Sequence, residues 1–181
     1  MKKLVLLLSL VFISFQANAS LLIEPYFGTA INGEWETANS DGDYASAGTT
    51  YGARLGYQSL GLQLGVDWRN FSASFEVDGQ DDAEYSHNPI YAFVGYEFPV
   101  MFRVYAEMAI SGEGEVEDGN TYKGMSSTII GLSYTGLPFV ALNFEMVNYS
   151  FDEFETQGGV EGDSEFEGSH YLLSLSLPLN L

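Results

Sequence analysis

The chain has 181 residues, with 25 Asp and Glu against 6 Lys and Arg, no Cys, and a formal net charge of −19. Hydrophobic residues make up 46% and aromatic residues 15%, which excludes an acidic disordered tail; the lack of Cys excludes disulfide frameworks, thiolate metal sites and cysteine nucleophiles. So negative a chain has nothing with which to neutralise a phosphate backbone, which excludes nucleic acid as a partner, and its length fits one domain.

Residues 1–19 read as a cleaved secretion signal. Lys2 and Lys3 form a basic start, Leu4 to Phe15 an apolar core, and Ala17-Asn18-Ala19 an A-x-A cleavage site, so Ser20 is expected to open the mature chain. The apolar run is too short for a membrane-spanning helix. Residues 20–181 then form the single folded domain.

Taken in order, that domain alternates apolar-patterned segments with acidic, Gly-rich stretches. The first segment, Ile23 to Ile31, leads into the acidic stretch Glu34 to Ala47. Thr49 to Tyr57 and Leu60 to Trp68 follow, separated only near Gln58-Ser59. After the acidic stretch Glu76 to Asn88 come Ile90 to Phe98 and Phe102 to Ser111, joined at Pro99-Val100. Gly112 to Lys123 is acidic again. Thr128 to Tyr134 and Val140 to Met146 are joined at Gly136-Leu137-Pro138. Asp152 to Gly168 is the last acidic stretch, before the final segment Tyr171 to Leu181. The four acidic stretches hold 20 of the 25 carboxylates. Short turns and long connections thus alternate strictly, the pattern of an up-and-down meander with its long loops at one end.

Within the segments, apolar residues recur at every second position. Leu60, Leu62, Leu64, Val66 and Trp68 oppose Gly61, Gln63, Gly65, Asp67 and Arg69; Phe102, Val104, Ala106 and Met108 oppose Arg103, Tyr105, Glu107 and Ala109. This periodicity predicts eight half-buried β-strands. Two architectures fit: a soluble sandwich or barrel with its apolar face inward, and a membrane barrel with that face outward. Three features favour the membrane. Leu60 to Trp68 matches the ~9–11 residues of a tilted transmembrane strand. Tyr57, Trp68, Tyr96, Phe98, Phe102, Tyr134 and Tyr171 sit at the ends of the apolar band, where amphipathic rings favour the bilayer interface. The opposite face carries charges of both signs, which a small soluble core would avoid. The fold expected is all-β: an eight-stranded antiparallel up-and-down transmembrane barrel.

On this topology and the alternating terminal strand Tyr171 to Leu181, the chain resembles the small eight-stranded outer-membrane barrels of the OmpX and OmpA membrane-domain type. The family's terminal strand ends in an aromatic residue read by the barrel assembly machinery; here the last residue is Leu181. The resemblance implies the outer membrane of a Gram-negative bacterium, with lipid and that machinery as partners, and leaves the activity open.

An eight-stranded barrel is narrow enough for side chains to fill. Arg54, Arg69 and Arg103, all the arginines of the protein, fall on the inward face with Glu24, Asp67, Glu97, Glu107 and Glu145. These read as a structural salt-bridge network, with a gated ion or proton path as the alternative. Glu97 and Arg103 flank a short turn and are expected to pair across it. Glu113, Glu115 and Glu117, then Glu161, Asp163, Glu165 and Glu167, alternate along extended segments, while Asp41-Gly42-Asp43 and Asp78-Gly79-Gln80-Asp81-Asp82 cluster. They read as a hydrated, anion-shedding surface, the alternative being divalent-cation binding. No cofactor is expected. His87 and His170 each follow a Ser, but adjacent strand residues face opposite ways, so they read as surface or interface histidines and not as catalysts. Pro25 and Pro178 lie on the two strands that must close the barrel; either they weaken that seam or they lie past its ladder. The function expected is that of a monomeric, non-enzymatic structural or surface-interaction protein, the alternatives being a lipid-modifying enzyme or a narrow channel.

Overall fold

The computed structural model describes residues 19–37, 41–43, 48–75, 83–116 and 119–181. All of the expected signal segment except Ala19, the Asp78–Asp82 cluster and Glu117 lie outside the described residues. The strands are β1 (Ser20–Glu36), β2 (Asp41–Asp43), β3 (Thr49–Ser59), β4 (Leu62–Phe75), β5 (Ala83–His87), β6 (Ile90–Phe98), β7 (Phe102–Ser111), β8 (Gly114–Val116), β9 (Thr121–Tyr134), β10 (Ala141–Glu155), β11 (Glu161–Ser176) and β12 (Leu179–Asn180).

Three pairs of these, β5 with β6, β7 with β8 and β11 with β12, are single staves interrupted by a few residues, and β2 caps the end of β1. The result is eight antiparallel staves, each bonded to its sequence neighbours, with the last closing on the first. Closure removes the exposed edges that an open sheet would present. The polarity is inverted relative to a soluble domain. Leu64, Val66 and Trp68 face out, whereas Gln63, Asp67 and Arg69 are buried. Lipid, not water, is the solvent this arrangement suits.

Among the described residues, the acidic stretches are largely strand, not loop. β10 runs to Glu155 and β11 starts at Glu161, so only residues 156–160 turn. Glu161, Asp163, Glu165 and Glu167 do share an exposed face. On the other face Phe166 packs against Phe151, Tyr122 and Trp35, with ring centroids 5.0–6.5 Å apart. That buried aromatic face is what lets the hairpin continue above the lipid band.

The first short turn also moves. Gln58 and Ser59 belong to β3, and Leu60-Gly61 make the turn with φ of 52° and 83°. Positive φ at both central residues is the I′ geometry that matches the twist of a two-residue hairpin.

Both prolines lie within the seam, not past it. β1 and β11 pair from Tyr26↔Ser176 upward, and the ladder resumes at Ile23↔Leu179 and Leu22↔Asn180. Leu21 and Leu181 exchange both backbone bonds at 2.9 Å. Between these, the Leu177 N–H donates to the Pro25 carbonyl at 3.0 Å. A closely spaced antiparallel pair would return a second bond, and Pro25 has no N–H with which to do so. One bond is therefore missing in mid-seam. We expect amides at Ile23–Phe27 and Leu175–Leu179 to exchange hydrogen roughly threefold to tenfold faster than those at Val104–Met108, the factor that about 1 kcal/mol per lost bond implies. Equal protection in the two regions would contradict this weak point.

Candidate functional site

The inward face builds two layers of polar contacts topped by an aromatic plug. In the lower layer Arg103, on β7, grips Glu24 of β1 with both fork nitrogens, at 2.5 and 2.6 Å. Ser176 donates to the same carboxylate at 2.6 Å. Arg103 is completed by Ser133 at 3.0 Å and Asn143 at 3.1 Å. A planar fork on a carboxylate satisfies two donors and two acceptors at once, which suits a pair with no access to water.

The middle layer holds Arg54 and Arg69 among three carboxylates. Glu145 accepts from Arg54 Nη2 at 2.5 Å, Arg69 Nη1 at 2.7 Å and the Tyr105 hydroxyl at 2.5 Å. Asp67 accepts from the Tyr26 hydroxyl at 2.9 Å and Arg69 Nη2 at 3.1 Å. Glu107 accepts from Arg54 Nε at 2.9 Å, but its other oxygen has only a 3.5 Å contact with Arg69. Arg54 Nη1 lies 3.5 Å from Glu24 and so ties the layers together. The two tyrosines also lie under the Arg54 guanidinium, with centroids at 4.8 Å (Tyr26) and 4.5 Å (Tyr105). Glycines make room for them: a Cβ on Gly52 would stand 2.4 Å from the Tyr26 hydroxyl, and one on Gly131 would stand 2.1 Å from the Tyr105 ring.

Seven of the eight residues expected in the lumen network are therefore brought together, and Glu97 is not. Although Glu97 faces Arg103 in register, the Arg103 fork turns to Glu24. Glu97 is half-buried at the lower mouth and accepts from Gln58 at 3.1 Å. The physical reason is burial: Glu24 is fully desolvated and has the most to gain from a bidentate partner, whereas Glu97 keeps access to water. Four buried carboxyl groups then face three guanidiniums, and Glu107 is the least well served of the four.

Above the network the lumen is aromatic. Phe71 is sandwiched between His170, with centroids at 4.5 Å and planes 9° apart, and His87 at 4.9 Å. Tyr85, Tyr149, Phe151 and Phe166 surround this stack, and His87 Nδ1 bonds the Tyr85 hydroxyl at 2.9 Å. The histidines are thus buried lumen residues, not surface ones. Burial holds the His87 imidazole well below its usual pKa, with the charges of His170 and Arg69 adding to the effect, so it stacks as a neutral ring. Arg54, Arg69, Phe71, Tyr85, Tyr91 and Arg103 are each at most 2% exposed, so guanidiniums and rings fill the bore.

The sequence reading missed Tyr26, Tyr105, Ser133, Asn143 and Ser176 as members of the network, and the aromatic plug altogether. Tyr105 shares strand and parity with Arg103 and Glu107, Tyr26 with Glu24, and Asn143 with Glu145, and that was the available signal; Ser133 and Ser176 lie on strands that carry no arginine or carboxylate of the network. Among the described residues no three His, Asp or Glu side chains converge as metal ligands would. The ion pair seen outside the lumen among those residues joins Lys123 to Glu155.

No protein-family model and no curated protein sequence matches the chain. Solved structures do. Neisserial surface protein A (NspA) is similar with a TM-score of 0.59 and 11% identity, over 90% of this chain and 99% of its own. Ail, the attachment invasion locus protein of Yersinia pestis, is similar with a TM-score of 0.58 and 9% identity, over 90% of this chain and 99% of its own. A major outer membrane protein from Thermus thermophilus gives 0.52 and 13%, over 88% of this chain and 100% of its own. At such identities the likeness concerns architecture and not role. By fold, the chain is a small eight-stranded outer-membrane β-barrel.

Proposed function

We propose that the protein is a sealed, non-catalytic barrel of the Gram-negative outer membrane, with a structural or surface-interaction role carried by its acidic extracellular hairpins. The observation behind this is the doubly closed lumen: an arginine–carboxylate network below and a stacked histidine–aromatic plug above. Such a bore is an internal scaffold that stiffens the barrel and holds the hairpins out from the membrane. Bilayer lipid and the barrel assembly machinery are the partners this seat requires. The exposed row Glu161, Asp163, Glu165 and Glu167 would repel anions and attract divalent cations.

One observation favours a second reading, a narrow cation path: the buried carboxyl group of Glu107, one of whose oxygens has only a 3.5 Å contact with Arg69. Planar-bilayer recording on the purified, folded protein separates the two. A sealed barrel gives no resolved conductance steps at neutral pH, and cation-selective steps would establish the path instead. Turnover of lipid A by the same sample would defeat the non-catalytic reading.

A further inference from the structure

The turn tips at the lower end of the barrel break two rules at once. Leu60, Met101 and Phe139 have φ of 52°, 66° and 66°. Left-handed backbone favours Gly and Asn, and a large side chain there is strained. All three are also exposed, with Leu60 and Phe139 at 88% and Met101 at 56%. In water a sequence would place Asn or Gly at such tips and gain on both counts. Val100 and Leu137 beside them are exposed and apolar as well.

The tips belong to one continuous rim. The Glu97 N–H donates to the Gly61 carbonyl at 2.7 Å, joining the first turn to the hairpin of the second. The Thr135 N–H donates to the Met101 carbonyl at 2.8 Å, joining the second to the third. Residues 58–62, 98–102, 134–140 and 177–181 contain no Asp, Glu, Lys or Arg. The rim starts where the outward aromatics Tyr96, Phe98, Phe102 and Tyr134 end, so it continues the lipid-facing surface without a charged side chain between.

We propose that this rim is a membrane-docking surface, and that its occupant is the headgroup–acyl boundary of the periplasmic phospholipid leaflet. The turns are immersed in the leaflet and do not project into the periplasm. Left-handed Leu, Met and Phe are tolerated because apolar burial in lipid offsets the backbone strain. The barrel is thereby held at a set depth, sunk at the end whose turns carry no charged side chain and carrying most of its carboxylates at the other. The inference rests on the lipid-facing band and holds whether or not the lumen conducts.

The chain has no Cys, so single nitroxide labels can be placed in the full protein without background. Leu60→Cys, Met101→Cys and Phe139→Cys are labelled and folded into phosphatidylethanolamine–phosphatidylglycerol vesicles. Leu64→Cys serves as the lipid reference and Gln157→Cys as the water reference. Power saturation with oxygen and with a water-soluble nickel chelate reads the surroundings. The labels at 60 and 139 should favour oxygen over nickel as the Leu64→Cys label does. Nickel access like that at Gln157→Cys would overturn the proposal. So would exclusion of both reagents with spin–spin broadening, which would mean that a second copy covers the rim.

Discussion

Replacing Arg103 with Leu should lower folding stability in lipid vesicles by about 3–5 kcal/mol, the cost of leaving one member of a buried ion pair alone. Arg103 donates to Glu24, Ser133 and Asn143 at once. Its loss leaves Glu24 with the Ser176 hydroxyl and a 3.5 Å approach from Arg54. The charge balance worsens in the same step, from four carboxylates against three guanidiniums to four against two. Adding Glu24→Gln should recover a large part of the loss, because it removes the stranded charge and not only its partner. If the single and double variants unfold at the same urea concentration, the pair is not the unit that holds the lower lumen. Glu107→Gln should be the mildest of the four carboxyl-to-amide changes, since Glu107 has the weakest contacts of the four.

The faces of the barrel were legible in the sequence because a strand has period two and lipid demands the reverse of a soluble core. Arg54, Arg69 and Arg103 fell on the inward parity and are all buried there. Which carboxylate each would meet was not legible. The expected Glu97–Arg103 pair was a local inference across a hairpin, whereas the actual partner, Glu24, is 79 residues away in sequence and comes from the far side of the lumen. Partner choice depends on which groups lose water completely, and barrel closure decides that.

The plug was hidden for another reason. Phe151, Phe166 and Tyr85 lie in or beside stretches whose composition is dominated by carboxylates and glycine. The parity also slips at three register shifts among the described residues, between Ile31 and Glu34, between Ile90 and Tyr91, and between Phe151 and Glu153. A stretch that reads as an acidic loop is therefore a strand with one charged face and one aromatic face.

Leu64→Arg tests the solvent outside the barrel as Arg103→Leu tests the interior. Leu64 lies on the outward face of β4, flanked in register by Tyr57 on β3 and Val94 on β6. It stands midway between the Leu60 turn and Trp68, at the centre of the apolar band. An arginine there must either sit in hydrocarbon or bend toward an interface, and the cost near the bilayer midplane is about 2–4 kcal/mol. Ser72→Arg introduces the same side chain on the same strand face, two outward positions above Trp68. There the side chain meets water, and the stability change should stay within about 0.5 kcal/mol. Urea titrations of both variants folded into vesicles give the two numbers directly. Equal penalties at 64 and 72 would mean that no lipid boundary lies between them, and the outward apolar band would need another partner.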